Sequence, residues 1–119
     1  MRAAFVLVVV LVLVLAACSG GDDDPPGLTG SMCEAAGAAS RGRLQEARSI
    51  FEDRHGGLHD LAAETAENDR AAAATLLRAK ERVESDLQAA RPRDLAENLK
   101  SLASAVGAAE GVARSAECP

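Results

Sequence analysis

Apolar residues return at alternating steps of four and three near the end of the chain: Leu95, Leu99, Leu102, Val106, Ala109 and Ala113. With 3.6 residues per turn, those positions line one stripe of an α-helix. Two further runs keep the same step. Ala73, Leu76, Lys80, Val83, Leu87 and Ala90 form one, with Lys80 as a charged interruption, and Leu44, Ala47, Phe51, Arg54, Leu58, Leu61 and Thr65 form the other. Pro92 suits a first helical position, where a missing N–H costs nothing, and Asn68 suits the cap before the middle run. Opposite charges at helical spacing, Arg82/Asp86, Arg93/Glu97 and Glu110/Arg114, are expected on solvated outer faces. The fold class expected is all-α, a small antiparallel helical bundle over residues 31–119.

The chain starts differently. Arg2 precedes an unbroken apolar run from Ala3 to Leu15, followed by the small residues Ala16 and Ala17 and then Cys18. A positive start, an apolar stretch and small residues before a cleavage point describe a secretory signal. The apolar run would make a helix of roughly 20 Å, short of the roughly 30 Å of a bilayer's hydrocarbon core. Leu15-Ala16-Ala17-Cys18 resembles the lipobox of bacterial lipoproteins. The resemblance implies cleavage before Cys18, removal of residues 1–17, a diacylglyceryl thioether on Cys18 and a place on the extracytoplasmic face of the cell membrane. The partner so implied is the membrane itself, reached through the lipid on Cys18.

Residues 18–30 then read as a tether. Gly20, Gly21, Asp22, Asp23, Asp24, Pro25, Pro26 and Gly27 offer no apolar surface to bury and no fixed geometry for a cation. A flexible segment of that length holds the folded part about 20 Å from the bilayer.

The stripes can build only a thin core, because large aliphatic residues are few and alanine must line the remainder. Helices meeting through alanine approach closely, yet each alanine buries little apolar area, and small domains of this kind need a staple. With Cys18 assigned to lipid, Cys33 and Cys118 remain as a pair outside the cytoplasm, where disulfides persist. A Cys33–Cys118 bridge would contribute roughly 4 kcal/mol by chain entropy; free thiols or an intermolecular bridge are the alternatives. The bridge favours an even number of helical passes, since in an up-down-up arrangement the two ends lie far apart. Breaks at Gly56-Gly57, Asn68-Asp69 and Arg91-Pro92 give four segments, but the piece from Leu58 to Glu67 is too short to span a bundle. The apolar phase also runs through Gly56-Gly57 as if that helix were only kinked, so three or four helices fit the sequence.

One stretch carries the residue types of a reactive centre: Glu52-Asp53-Arg54-His55-Gly56-Gly57-Leu58-His59-Asp60, with both histidines of the chain. On a continuous helix Glu52, His55 and His59 share a side, and two imidazoles with a carboxylate suit zinc, copper or non-haem iron. Glu52-x-x-His55 resembles half of the ferritin-like di-iron motif, whose second half this chain lacks. Gly56-Gly57 favours a helix end, which would part the two histidines and leave His55 to interact with the last carbonyls.

Other chemistry finds little footing. No Gly-x-Ser-x-Gly elbow, glycine-rich phosphate loop or His-Glu-x-x-His occurs. Trp and Tyr are absent, and after the signal Phe51 is the one aromatic residue, so stacking sites for nucleic acid have no platform. Eighteen Asp and Glu against 13 Lys and Arg, one of them Arg2, argue against binding a phosphate backbone. The domain is similar in composition to small Ala-rich helical lipoproteins of high-GC Gram-positive bacteria, a likeness that implies no activity. The expectation is a non-enzymatic interaction or envelope-structural module, meeting an envelope protein or a second copy of itself and needing no cofactor. The alternative is a metal-binding lipoprotein holding a divalent metal at Glu52, His55 and His59.

Overall fold

A computed structural model describes residues 27–111 and 118–119. The expected signal peptide, Cys18 and most of the expected tether, together with Ala113 and Arg114, lie outside the described residues. Four helices follow one another: α1 (Leu28–Ser40), α2 (Leu44–Ala66), α3 (Arg70–Ala89) and α4 (Pro92–Ala109). The connections are two or three residues long, which makes chain neighbours antiparallel. Each helix packs on the next, α1 closes the ring against α4, and α2 meets α4 only across the diagonal. There are no strands among the described residues, and no helix there is long and apolar enough to cross a membrane.

Local sequence explains where the helices stop. Gly42 takes φ +76° between α1 and α2, a conformation L side chains rarely adopt. Asp69, not Asn68, caps α3: its side chain accepts a hydrogen bond from the Ala72 N–H at 3.0 Å. Ala90 ends α3 in the left-handed region, where the Arg91 N–H reaches back to the Asp86 carbonyl at 3.1 Å. Pro92 opens α4 as its spacing foretold.

The stripes on α2, α3 and α4 face one core. Leu95, Leu99, Leu102 and Val106 are fully buried, and Phe51, Leu58, Leu76 and Val83 meet them from α2 and α3. Ala109 is half-buried, and Ala90 is exposed because it serves as the cap. Arg82/Asp86 requires a correction: Asp86 is buried, not on an outer face, and accepts a hydrogen bond from the Asn98 amide of α4. Glu97 engages Lys100, one turn on, at 3.3 Å.

The helix count is resolved by an element that carries little sequence signal. α1 begins at Leu28, so three residues assigned to the tether belong to the fold. Its buried face is Met32 with Ala35, Ala36, Ala38 and Ala39. α2 continues through Gly56-Gly57 without a break, so of the two readings the sequence allows there, the continuous helix is the one observed. Gly57 has a packing role: a Cβ at this position would lie 3.2 Å from Leu28 Cδ2, so its absence lets the start of α1 sit against α2. With α1 included the passes are even in number, and Cys33 is bridged to Cys118 with Cα atoms 5.2 Å apart. Cys118 lies beside Lys100, Ser101 and Ser104 of α4 and beside Gly37 of α1, so the end of the chain ties the first helix to the last.

Candidate functional site

Of the polar side chains singled out in the sequence, Glu52 and His55 lie on the flank where α2 meets α3. Because α2 is unbroken across its glycines, His55 and His59 remain one turn apart, and their rings stand edge to face with centroids 4.6 Å apart. Phe51, one turn earlier, packs its buried ring against His55 at 5.8 Å, also edge to face. The imidazole of His55 is thus held between an apolar neighbour inside and a second imidazole outside.

Glu52 does not join them. Its side chain is 63% exposed and turns to Arg48, with 4.0 Å between guanidinium and carboxylate. Arg48 also donates from Nη2 to the Leu87 carbonyl at 2.9 Å, fastening α2 to α3. The Glu52, His55 and His59 triad expected for a metal is not assembled in this arrangement, in which Glu52 is paired with Arg48. Among the described residues no three or more His, Cys, Asp or Glu side chains gather as a metal-holding group.

The carboxylate that does meet His55 comes from α3. His55 Nε2 lies 3.1 Å from Glu84 Oε1, and the same oxygen accepts from the ammonium of Lys80, one turn before Glu84. Lys80 is buried, its side chain only 8% exposed, while Glu84 and His55 are about a third to two-fifths exposed. An ammonium buried to that degree needs a charged partner. The Lys80 hydrogen bond holds the Glu84 carboxyl below the usual carboxylate range; partial burial works against this, and His55 adds to it.

Sequence reasoning missed Glu84 in this role. The signal was the charge at Lys80 inside an apolar stripe, with an acidic residue four positions on. The Arg48, Phe51, Glu52, His55, Glu84, Leu87 and Gln88 side chains line an open groove along the seam, apolar at its floor and charged at its rim. In comparisons with known proteins, no family model, curated protein or solved structure matches the chain.

Proposed function

We propose that this protein is a lipid-anchored helical module on the extracytoplasmic face of a cell membrane, acting by contact with an envelope protein or a second copy of itself and not by catalysis. The Cys33–Cys118 bridge carries the reading. Disulfides persist in oxidising compartments, so this bridge supports the export signalled by Leu15-Ala16-Ala17-Cys18. A fold starting at Leu28 leaves nine residues, 19–27, between Cys18 and the first helix, enough to hold the bundle roughly 15–20 Å from the bilayer.

The interior supports contact as the mode of action. Lys80 and His55 are committed to Glu84 and Asn98 to Asp86, in pairs that join neighbouring turns or helices. Recognition is left to the outer helix faces and their charged rims, which suit a partner helix or protein surface.

Cys18→Ala is expected to leave unprocessed precursor and abolish partitioning into the detergent phase. An unmodified amino terminus on the mature wild-type protein, read by intact mass, would refute the anchor. Cross-linking on intact cells is expected to recover a reproducible envelope protein or a homo-oligomer, and a lipobox transplanted from another lipoprotein should restore function. A monomer without cross-linked neighbours that turns over a small molecule, in a manner sensitive to Glu52 or His59 substitution, would overturn the contact reading.

A further inference from the structure

We propose that the exposed flank of α2 is a two-histidine site for a borderline divalent transition metal, with His55 and His59 as the protein ligands and Glu84 as the carboxylate that orients His55. The site is independent of the anchor and uses a different carboxylate from the one the sequence suggested. Three observations converge on it.

The first is spacing. α2 runs straight through Gly56-Gly57, so His55 and His59 project from successive turns of one helix, and their ring centroids are 4.6 Å apart. Two imidazoles bound side by side on one ion at about 2.0–2.1 Å per metal–nitrogen bond place their ring centres roughly 4.5–5 Å apart. The ring spacing matches a chelate, and the planes, now edge to face at 72°, reach it by rotation of the exposed His59 ring.

The second is the support behind His55. Histidines that bind metals commonly donate their other ring N–H to a carboxylate, which fixes the tautomer and raises the basicity of the binding nitrogen. His55 Nε2 is 3.1 Å from Glu84 Oε1, which leaves Nδ1 as the nitrogen with the free lone pair when Nε2 carries the proton. Lys80 holds that same Glu84 oxygen, so Glu84 serves as the orienting carboxylate and not as a ligand.

The third is access. His59 is exposed and His55 half-buried, so water completes the coordination sphere and the ion can exchange. Imidazole donors with open positions suit Cu(II) first, then Ni(II) and Zn(II), and disfavour Mg(II) and Ca(II).

Titration of the full chain with Cu(II) alone, followed by electron paramagnetic resonance, and with Zn(II), followed by nuclear magnetic resonance of the histidine ring nitrogens, tests the site. A single ion per chain with coupling to two imidazole nitrogens is expected, and Zn(II) should perturb both rings. His59→Ala should weaken Cu(II) binding by about tenfold or more and Glu84→Gln by about 10–100-fold. Glu52→Ala should leave binding unchanged. The metal-free melting curve of each variant, His59→Ala above all because that side chain lies outside the core, separates loss of binding from loss of fold. Binding by His55→Ala/His59→Ala equal to that of the wild type would overturn the proposal, as would a loss in Glu52→Ala matching that in His59→Ala.

Discussion

Lys80 occupies a position that the helical stripe of α3 reserves for an apolar side chain, between Leu76 and Val83 on the buried face. Its methylenes cover the core, while its ammonium is neutralised by Glu84. The two partners are not equivalent, because Lys80 is buried and Glu84 is a third exposed. Removing the acid strands a charge inside the protein, whereas removing the base leaves a carboxylate that water can solvate. Glu84→Ala is therefore expected to cost about 1–3 kcal/mol in urea unfolding, and Lys80→Met clearly less. The pair also sets part of the acid response. A carboxyl held below its ordinary value of 4.5 when folded stabilises the protein above that pH, and the contribution is lost as pH falls through the lowered value. Wild-type and Glu84→Gln stabilities of the metal-free chain should accordingly keep their spacing above pH 4.5 and converge only as pH falls below it, as read from urea midpoints. Equal spacing of the two curves at every pH would remove the pair from the acid limb. The sequence revealed this site only in part: the misplaced charge was visible, but a helix-to-helix partner such as His55, 29 positions away, has no periodic signature.

Among the helices, α2, α3 and α4 were legible because each carries at least three large apolar residues in phase. α1 was not, since alanine on a helix's buried face differs little in pattern from alanine on its surface, and Leu28 and Met32 alone do not make a stripe. The two adjacent glycines misled for a related reason: glycine marks a helix end only where the chain needs a left-handed residue, and here neither has a positive φ. The end of α3 shows the converse, with Ala90 at φ 51° where glycine would be easier. A Cβ on Gly56 would meet open space, while one on Gly57 would press on Leu28. Gly56→Ala should thus stabilise the protein by about 0.5–1 kcal/mol through reduced freedom of the unfolded chain and better helix propensity. Gly57→Ala should gain less or lose, because Leu28 must give way. Urea midpoints of the two variants compare them directly; an equal gain in both would mean that Leu28 does not depend on the gap at Gly57.

Across the whole molecule, the number of passes and the bridge are one fact seen twice. The sequence left three helices against four according to whether the chain breaks at Gly56-Gly57, and the bridge uncertain with them; the structure keeps that helix whole and supplies the fourth pass from α1, the helix with the weakest signal. Once α1 lies against α4, Cys33 is brought to the flank that Cys118 reaches, and the bridge encloses α2, α3 and α4 in a loop of 85 residues. That closure matters more here than in a core rich in large side chains. α1 packs closely on α2 and α4, but apart from Met32 its buried face is alanine, and each alanine buries little apolar area. Opening the loop frees the unfolded chain by roughly 4 kcal/mol in the chain-entropy account, a large share of the stability of a domain this size. The oxidised chain should have a mass two hydrogens below the reduced one. Reduction, or Cys118→Ser, should lower Tm by well over 10 °C. Hydrogen exchange should show amides of α1 losing protection before those of α3, because α1 is the short helix held by alanine contacts. Identical melting with and without reductant would mean that the alanine-lined seams hold α1 unaided, and the bridge would then contribute nothing to stability.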